Sequence, residues 1–252
     1  MRYVSTRGQA PHVGFVDAVL GGLAPDGGLY VPEAWPQISA AEIAAFADMP
    51  YAQVAARVIG AFADGEIAHA DLLEMCREAY GSFAHAATVP LVQLSPGVFL
   101  AELFHGPSLA FKDVAMQILA RLYDHLLGEQ GRSQTILCAT SGDTGGAAVE
   151  AFRGARNVKV VALFPEGRIS EVQRRFMTTA TEANVACVAV KGSFDDCQAI
   201  VKNAFQDQSL RQAVDLSGVN SINFARIAAQ AVYYFTTAAA LGAPDQIGRA
   251  HV

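Results

Sequence analysis

Residues 135–164 read TILCATSGDTGGAAVEAFRGARNVKVVALF, and the order of textures within them decides the fold. A short aliphatic run at 135–139 gives way to hydroxyls and glycines. An alanine-rich helical pattern follows over 147–152, then a second apolar run over 158–164. Two strands joined through a helix form a βαβ unit, whose strands run parallel. The alternation extends both ways. Upstream lie a strand at 97–103 and a helix at 110–127; downstream lie a helix at 171–181, a strand at 185–190 and helices at 194–205 and 222–241. This order predicts an α/β fold with a parallel sheet covered by helices on both faces.

Before residue 82 the texture differs. Gly21-Gly22, Pro25 to Gly28 and Val31-Pro32 read as turns around a short extended piece at 29–31. Ser39 with Glu42 three residues on makes a capping box ahead of Ile43 and Phe46, and Pro50 limits that helix. Val54, Val58, Ile59 and Phe62, then Leu72, Leu73, Met75, Cys76 and Tyr80, recur at helical spacing. The chain therefore divides into a mostly helical domain over 1–88 and an α/β region over 89–245. The boundary falls near 82–95, where Ser82, Pro90 and Pro96 cluster.

Composition narrows the function. Of 252 residues, 52% are hydrophobic and 17% charged, the reverse of what a disordered chain needs. A net charge of −6 supplies no global field for nucleic acid or an anionic membrane. Arg2, Arg7, His12 and Asp17 interrupt any secretory apolar region. The long uncharged stretch at 227–244 carries Gln230, Thr236 and Thr237 and falls short of a membrane span, so it reads as a buried helix. Cys76, Cys138, Cys187 and Cys197 are widely spaced, which favours a reducing cytoplasm over a disulfide framework or a zinc knuckle. The six histidines have no metal-ligand spacing, and Asp195-Asp196 reads as a helix start.

Ligand groups in open parallel sheets gather where strands lead into helices, and three clusters stand there. In the first, ELFHGPSLAFKD at 102–113, Lys112 opens an otherwise apolar helix. The positive end of a helix dipole should depress its pKa and make it a nucleophilic amine suited to a Schiff base. The plainer alternative is a solvated lysine balanced by Asp113. In the second, CATSGDTGGAA at 138–148, hydroxyls and glycines make a cradle for a carboxylate or phosphate, or else an ordinary turn capped by Asp143 or Thr144. Its glycine spacing is neither a Walker loop nor a dinucleotide fingerprint. The third, NSINFAR at 220–226, offers amide and hydroxyl donors and an arginine one turn later, fit to clamp a phosphate. The alternative there is a capping serine and an exposed arginine.

Taken together and in this order, LFHGPSLAFKD, ATSGDTG and NSIN with Arg226 resemble threonine synthases, members of the β-family (fold type II) of pyridoxal-phosphate enzymes. FPEGRIS at 164–170, GSFDDCQA at 192–199, YVSTR at 3–7 and DGGLYVP at 26–32 agree. The resemblance implies that Lys112 binds pyridoxal phosphate with Phe111 beside the ring and Asp143 near it. It implies that Thr140, Ser141, Gly142 and Thr144 hold the carboxylate of O-phospho-L-homoserine. Asn220, Ser221 and Arg226, with Thr140 and Thr144, are implied to hold its phosphate. No metal, nucleic acid or membrane partner is implied. The family continues well beyond Arg226, so a chain incomplete at its C-terminus is expected, with 246–252 a non-native tail. A related dehydratase or sulfhydrylase, or an inactive fragment binding a phosphorylated metabolite at most, stand as alternatives.

Overall fold

A computed structural model describes residues 1–218 and 223–245. Strands β1 (Tyr3–Ser5) and β2 (Tyr30–Pro32) pair antiparallel around helix α1 (Phe15–Gly21). Helix α2 (Ala40–Ala45) starts at Ser39, whose hydroxyl accepts the Glu42 N–H, and runs into a 3-10 turn (Phe46–Asp48) before Pro50. Helices α3 (Tyr51–Ala63) and α4 (His69–Gly81) follow; of the residues the spacing predicts all are buried but Leu73, which is half-buried, and Tyr51 and four alanines join them. Asp64 ends α3 in the left-handed conformation.

Strands β3 (Leu91–Ser95) and β4 (Val98–Ala101) come next, then helix α5 (Asp113–Glu129). Strand β5 (Gln134–Ala139), α6 (Asp143–Phe152), β6 (Val158–Pro165), α7 (Glu171–Thr178) and β7 (Val185–Val190) complete the expected alternation. Helices α8 (Phe194–Gln206) and α9 (Gln208–Val214), strand β8 (Leu216–Ser217) and helix α10 (Phe224–Ala240) close the described chain. The sheet has the order β7-β6-β5-β8, all parallel.

Two expectations need correction. The strand expected at 97–103 does not join this sheet. It is β4, paired antiparallel with β3 in a separate hairpin. Pro96-Gly97 forces that outcome, because Pro fixes a negative φ and Gly97 supplies φ 76, which turns the chain back after two residues. The hairpin leaves Val92, Leu94, Val98, Phe99 and Leu100 exposed. Nor is the sheet covered equally on its two faces. Ile136 and Cys138, in register with Val160 and Ala162, point into the core beneath α6 and α7. On the opposite face, beside α8, Thr135, Leu137 and Ala139 are only half-buried and Val188 is exposed.

The main core lies between helices. Helix α5 is buried along nearly its whole length, Val114 to Leu127, and packs against α4, α6 and α10. A helix with so wide an apolar face belongs at the centre of the packing, and Arg121, Asp124, His125 and Glu129 mark its outer side. Helix α10 fills the groove between α3 and α5 and brings Phe224 against Tyr3 and Phe62, at ring-centroid distances of 5.2 and 5.4 Å. One continuous cluster thus joins side chains from the helical segment to those of α5, β5, β6 and α10. Among the described residues no helix is long and apolar enough to cross a membrane. The four cysteines are thiols, three of them buried.

Candidate active site

The loop at 102–112 is built around an acid that never meets the lysine beside it. Asp113 is fully buried, and its carboxylate accepts the Ser108 N–H at 2.8 Å and the Ser108 hydroxyl at 2.6 Å. Lys112 is therefore not balanced by Asp113. It takes the cap position of α5 with helical dihedrals, and its Nζ binds the Asp143 carboxylate at the start of α6. Nζ also lies 4.7 Å from the Phe111 ring centroid. His105, upstream, pairs its Nε2 with Glu102 at 2.7 Å, which braces the same loop.

The second cluster is shaped from beneath. Thr140 is 1% exposed, and its Oγ1 accepts the N–H groups of Gly142 at 3.0 Å and Gly145 at 2.8 Å. That settles the turn, since neither Asp143 nor Thr144 caps α6. Gly142 occupies the cap position at φ 137, in a region reserved for glycine. A Cβ there would meet the Gln173 side-chain oxygen at 2.3 Å, and one at Gly145 would meet Thr140 Cγ2 at 2.5 Å. With Thr140 below and Gln173 above, Asp143 is left free to turn toward Lys112. Its other oxygen accepts the Thr144 N–H at 2.8 Å.

Electrostatics follow from these contacts. Burial pushes the Asp143 pKa up, but the hydrogen bond and charge of Lys112, with the Thr144 N–H, carry it below the usual carboxylate range. Burial raises Asp113, and its bonds to Ser108 offset only part of that. Arg226, in the first turn of α10, is 5% exposed, so the exposed-arginine alternative fails. Burial lowers its pKa while the Asp143 charge raises it. Its Nε makes no hydrogen bond among the described residues. The helix is capped by Asn223, whose Oδ1 accepts the Ala225 N–H, and not by a serine. Asn220 and Ser221 lie outside the described residues.

A cavity of about 410 Å³ opens beside these groups. Phe111 and Asp143, the two residues that touch Lys112 Nζ, form part of its wall with Ser108, Leu109 and Gly142. The far wall is α7, through Ser170, Val172, Gln173 and Phe176. The structure thus brings Lys112, Phe111, Gly142, Asp143 and Thr144 to one place, with Thr140 buried under them and the Asp143 charge felt at Arg226. The sequence reading did not find Gln173, Phe176 or the Asp113–Ser108 contact. Ser170 sits in the FPEGRIS phrase, but nothing in its spacing shows that α7 folds back over the glycine loop. Among the described residues no cluster of three metal-ligating side chains occurs.

Comparison with known proteins gives concordant matches. Residues 2–80 match the family described as threonine synthase N terminus, and residues 85–248 match that described as pyridoxal-phosphate dependent enzyme. The threonine synthase of Pseudomonas aeruginosa is 52% identical over 246 residues, covering 98% of this chain and 52% of that protein. That of Saccharomyces cerevisiae is 40% identical over 253 residues, covering 92% and 48%. A crystal structure of PLP-bound threonine synthase from Brucella melitensis superposes with a TM-score of 0.95 at 56% identity, covering 98% of this chain and 53% of that one. The Escherichia coli threonine synthase structure gives 0.82 at 39% identity, covering 95% and 54%. The chain spans about half the length of the curated relatives it matches.

Proposed function

Because the chain belongs to the pyridoxal-phosphate-dependent enzyme family, we propose that its residues supply the lysine side of a threonine synthase site. The reaction is conversion of O-phospho-L-homoserine and water to L-threonine and phosphate, a carbon–oxygen lyase chemistry. The observation that carries the reading is Lys112 Nζ, paired with Asp143 and set against the Phe111 ring at the wall of the cavity. The residues fit the cofactor. There is one amine against two residues of the cavity wall, a glycine loop where a Cβ at 142 or 145 has no room, an aromatic face, and a buried guanidinium whose Nε has no partner among the described residues. The cavity volume falls within the range of small-molecule sites, about 300–1,000 Å³.

The bound cofactor supplies an electron sink for charge developing on the substrate carbons. The chain's own side chains do the rest. Lys112 would hold the cofactor through Nζ, and its amine is the group that would carry protons at the α and then the β carbon. Asp143 keeps that amine aimed into the site by charge and hydrogen bond. The loop of Thr140, Ser141, Gly142 and Thr144 receives the substrate carboxylate at the N-terminus of α6, where the helix dipole favours an anion. Arg226, with Asn220 and Ser221, holds the phosphate as it leaves the γ carbon, a task suited to the fork of a guanidinium. The same reading keeps the division into a helical unit over 1–88 and a cofactor-binding unit over 89–245. It also places the protein in the cytoplasm, in keeping with its free thiols.

The test is direct, because the chain has only four lysines, Lys112, Lys159, Lys191 and Lys202, and the last three are exposed. Borohydride reduction with pyridoxal phosphate, followed by peptide mapping, should place the label on Lys112 well ahead of the others. Lys112→Ala should abolish that label and any turnover. Equal labelling of all four lysines would refute the site. Turnover of serine or threonine with none of phosphohomoserine would refute the substrate.

A further inference from the structure

A buried carboxylate next to the reactive lysine, bonded to neither that lysine nor any other cation among the described residues, calls for an explanation. Asp113 is the first residue of α5, yet its side chain caps nothing in that helix. Both oxygens reach back to Ser108, one to the backbone N–H and one to the hydroxyl. The loop between them is closed by further bonds, Leu109 N–H to Gly106 O at 3.0 Å and Asp113 N–H to Ala110 O at 3.0 Å. It is tight as well. A Cβ on Gly106 would stand 2.4 Å from both Cβ and Oδ2 of Asp113. The loop also holds Leu109 at φ 61, a conformation leucine avoids when unconstrained. What leaves this loop is Phe111 and then Lys112.

We propose that Asp113 is the positioning residue for Lys112: by binding both polar groups of Ser108 it holds residues 106–111 in the turn that sends Lys112 Nζ to Asp143 and sets Phe111 alongside. A purely stabilising role for Asp113 predicts a lower melting temperature and an unchanged lysine. A positioning role predicts a lysine that comes loose in a folded chain. The inference rests on the function proposed above, but its first readout needs no cofactor.

The experiment is limited reductive methylation of the full chain with formaldehyde and cyanoborohydride, followed by peptide mapping. It compares wild type with Ser108→Ala, Asp113→Ala and Asp113→Asn. In wild type the paired, largely buried Lys112 should react several-fold more slowly than Lys159, Lys191 and Lys202, which serve as internal standards. Ser108→Ala and Asp113→Ala should each raise the Lys112 rate at least three-fold relative to those standards. Combining them should add nothing beyond Asp113→Ala. Asp113→Asn can still accept the Ser108 N–H and should recover part of the protection. If Asp113→Ala does not fold, Ser108→Ala decides, since it deletes one hydroxyl and leaves the carboxylate in place. Unchanged Lys112 protection in folded Ser108→Ala and Asp113→Ala overturns the proposal. Repeating the series with pyridoxal phosphate and borohydride separates the two readings. Clamp-dependent protection with no Lys112 label in wild type sinks the cofactor reading alone. A wild-type label that the variants keep in full, with protection unchanged, sinks the positioning role alone.

Discussion

Asn223→Ala should be among the most damaging single substitutions outside the aromatic core. The side chain is 1% exposed and makes three hydrogen bonds. Its Oδ1 accepts the Ala225 N–H at 2.9 Å, and its Nδ2 donates to Val19 O at 2.7 Å and to Tyr123 Oη at 3.1 Å. Losing the cap costs about 1 kcal/mol. The two buried donor bonds add roughly 1 kcal/mol each. Val19 O keeps the Tyr123 hydroxyl as donor at 2.8 Å, so that carbonyl is not left bare and no larger penalty follows. The sum is about 3 kcal/mol, and at about 2–4 °C per kcal/mol for a chain of this size the melting temperature should fall by about 6–12 °C. Asn223→Ser keeps the cap alone and should recover about a third of the loss. The measurement is thermal unfolding by circular dichroism, checked by urea midpoints at constant m. A shift of less than about 2 °C for Asn223→Ala, or an Asn223→Ser as damaging as the alanine, would refute the reasoning.

Two further outcomes follow from the site. Asp143 has a folded pKa below its unfolded value, so its contribution to stability is present above about pH 4 and is lost as the pH falls through the folded value. Asp113 is shifted upward by burial, so its contribution is full at low pH and is lost as the pH rises through the folded value. Asp143→Asn and Asp113→Asn should therefore diverge from wild type with opposite pH slopes in urea midpoints between about pH 3 and 6; slopes of the same sign contradict the assignment. Gly145→Ala drives a methyl into Thr140 Cγ2 at 2.5 Å and Met177 Sδ at 2.6 Å. Overpacking there should cost about 1–3 kcal/mol, and a neutral substitution in a denaturant melt would show that α7 yields freely.

What the sequence discloses depends on how local the cause is. Strands β5, β6 and β7 are legible because aliphatic runs end in glycine, hydroxyl or charged turns within a few residues. The starts of α2, α7 and α8 are legible because Ser39, Ser170 and Ser193 each accept an N–H three residues on. Helix α1 is not, because its N-terminus is capped by Glu66, which accepts the N–H groups of Phe15 and Val16 from 51 and 50 residues away. The hairpin was half visible. Pro96-Gly97 marks the turn, but β3 is too exposed to show strand alternation. In the site, residue types and order point to lysine chemistry beside a glycine loop. They do not reveal that Lys112 pairs with an acid 31 positions away and not with its neighbour, nor that Arg226 is buried. Which charges meet is decided by how α5, α6 and α10 pack, and no short window of sequence encodes that.

The bond from Asn223 to Val19 spans 204 residues, and the Tyr3 ring waits for Phe224. During synthesis the N-terminal helices therefore emerge without the element that closes their groove. At about 5–20 residues per second, roughly 10–40 s separate the appearance of Val19 from that of Asn223. Through that interval Phe15 and Phe62, and Tyr123 once it is made, lack the partners that complete their core. A ribosome stalled before α10 would present the groove between α3 and α5 without the helix that fills it.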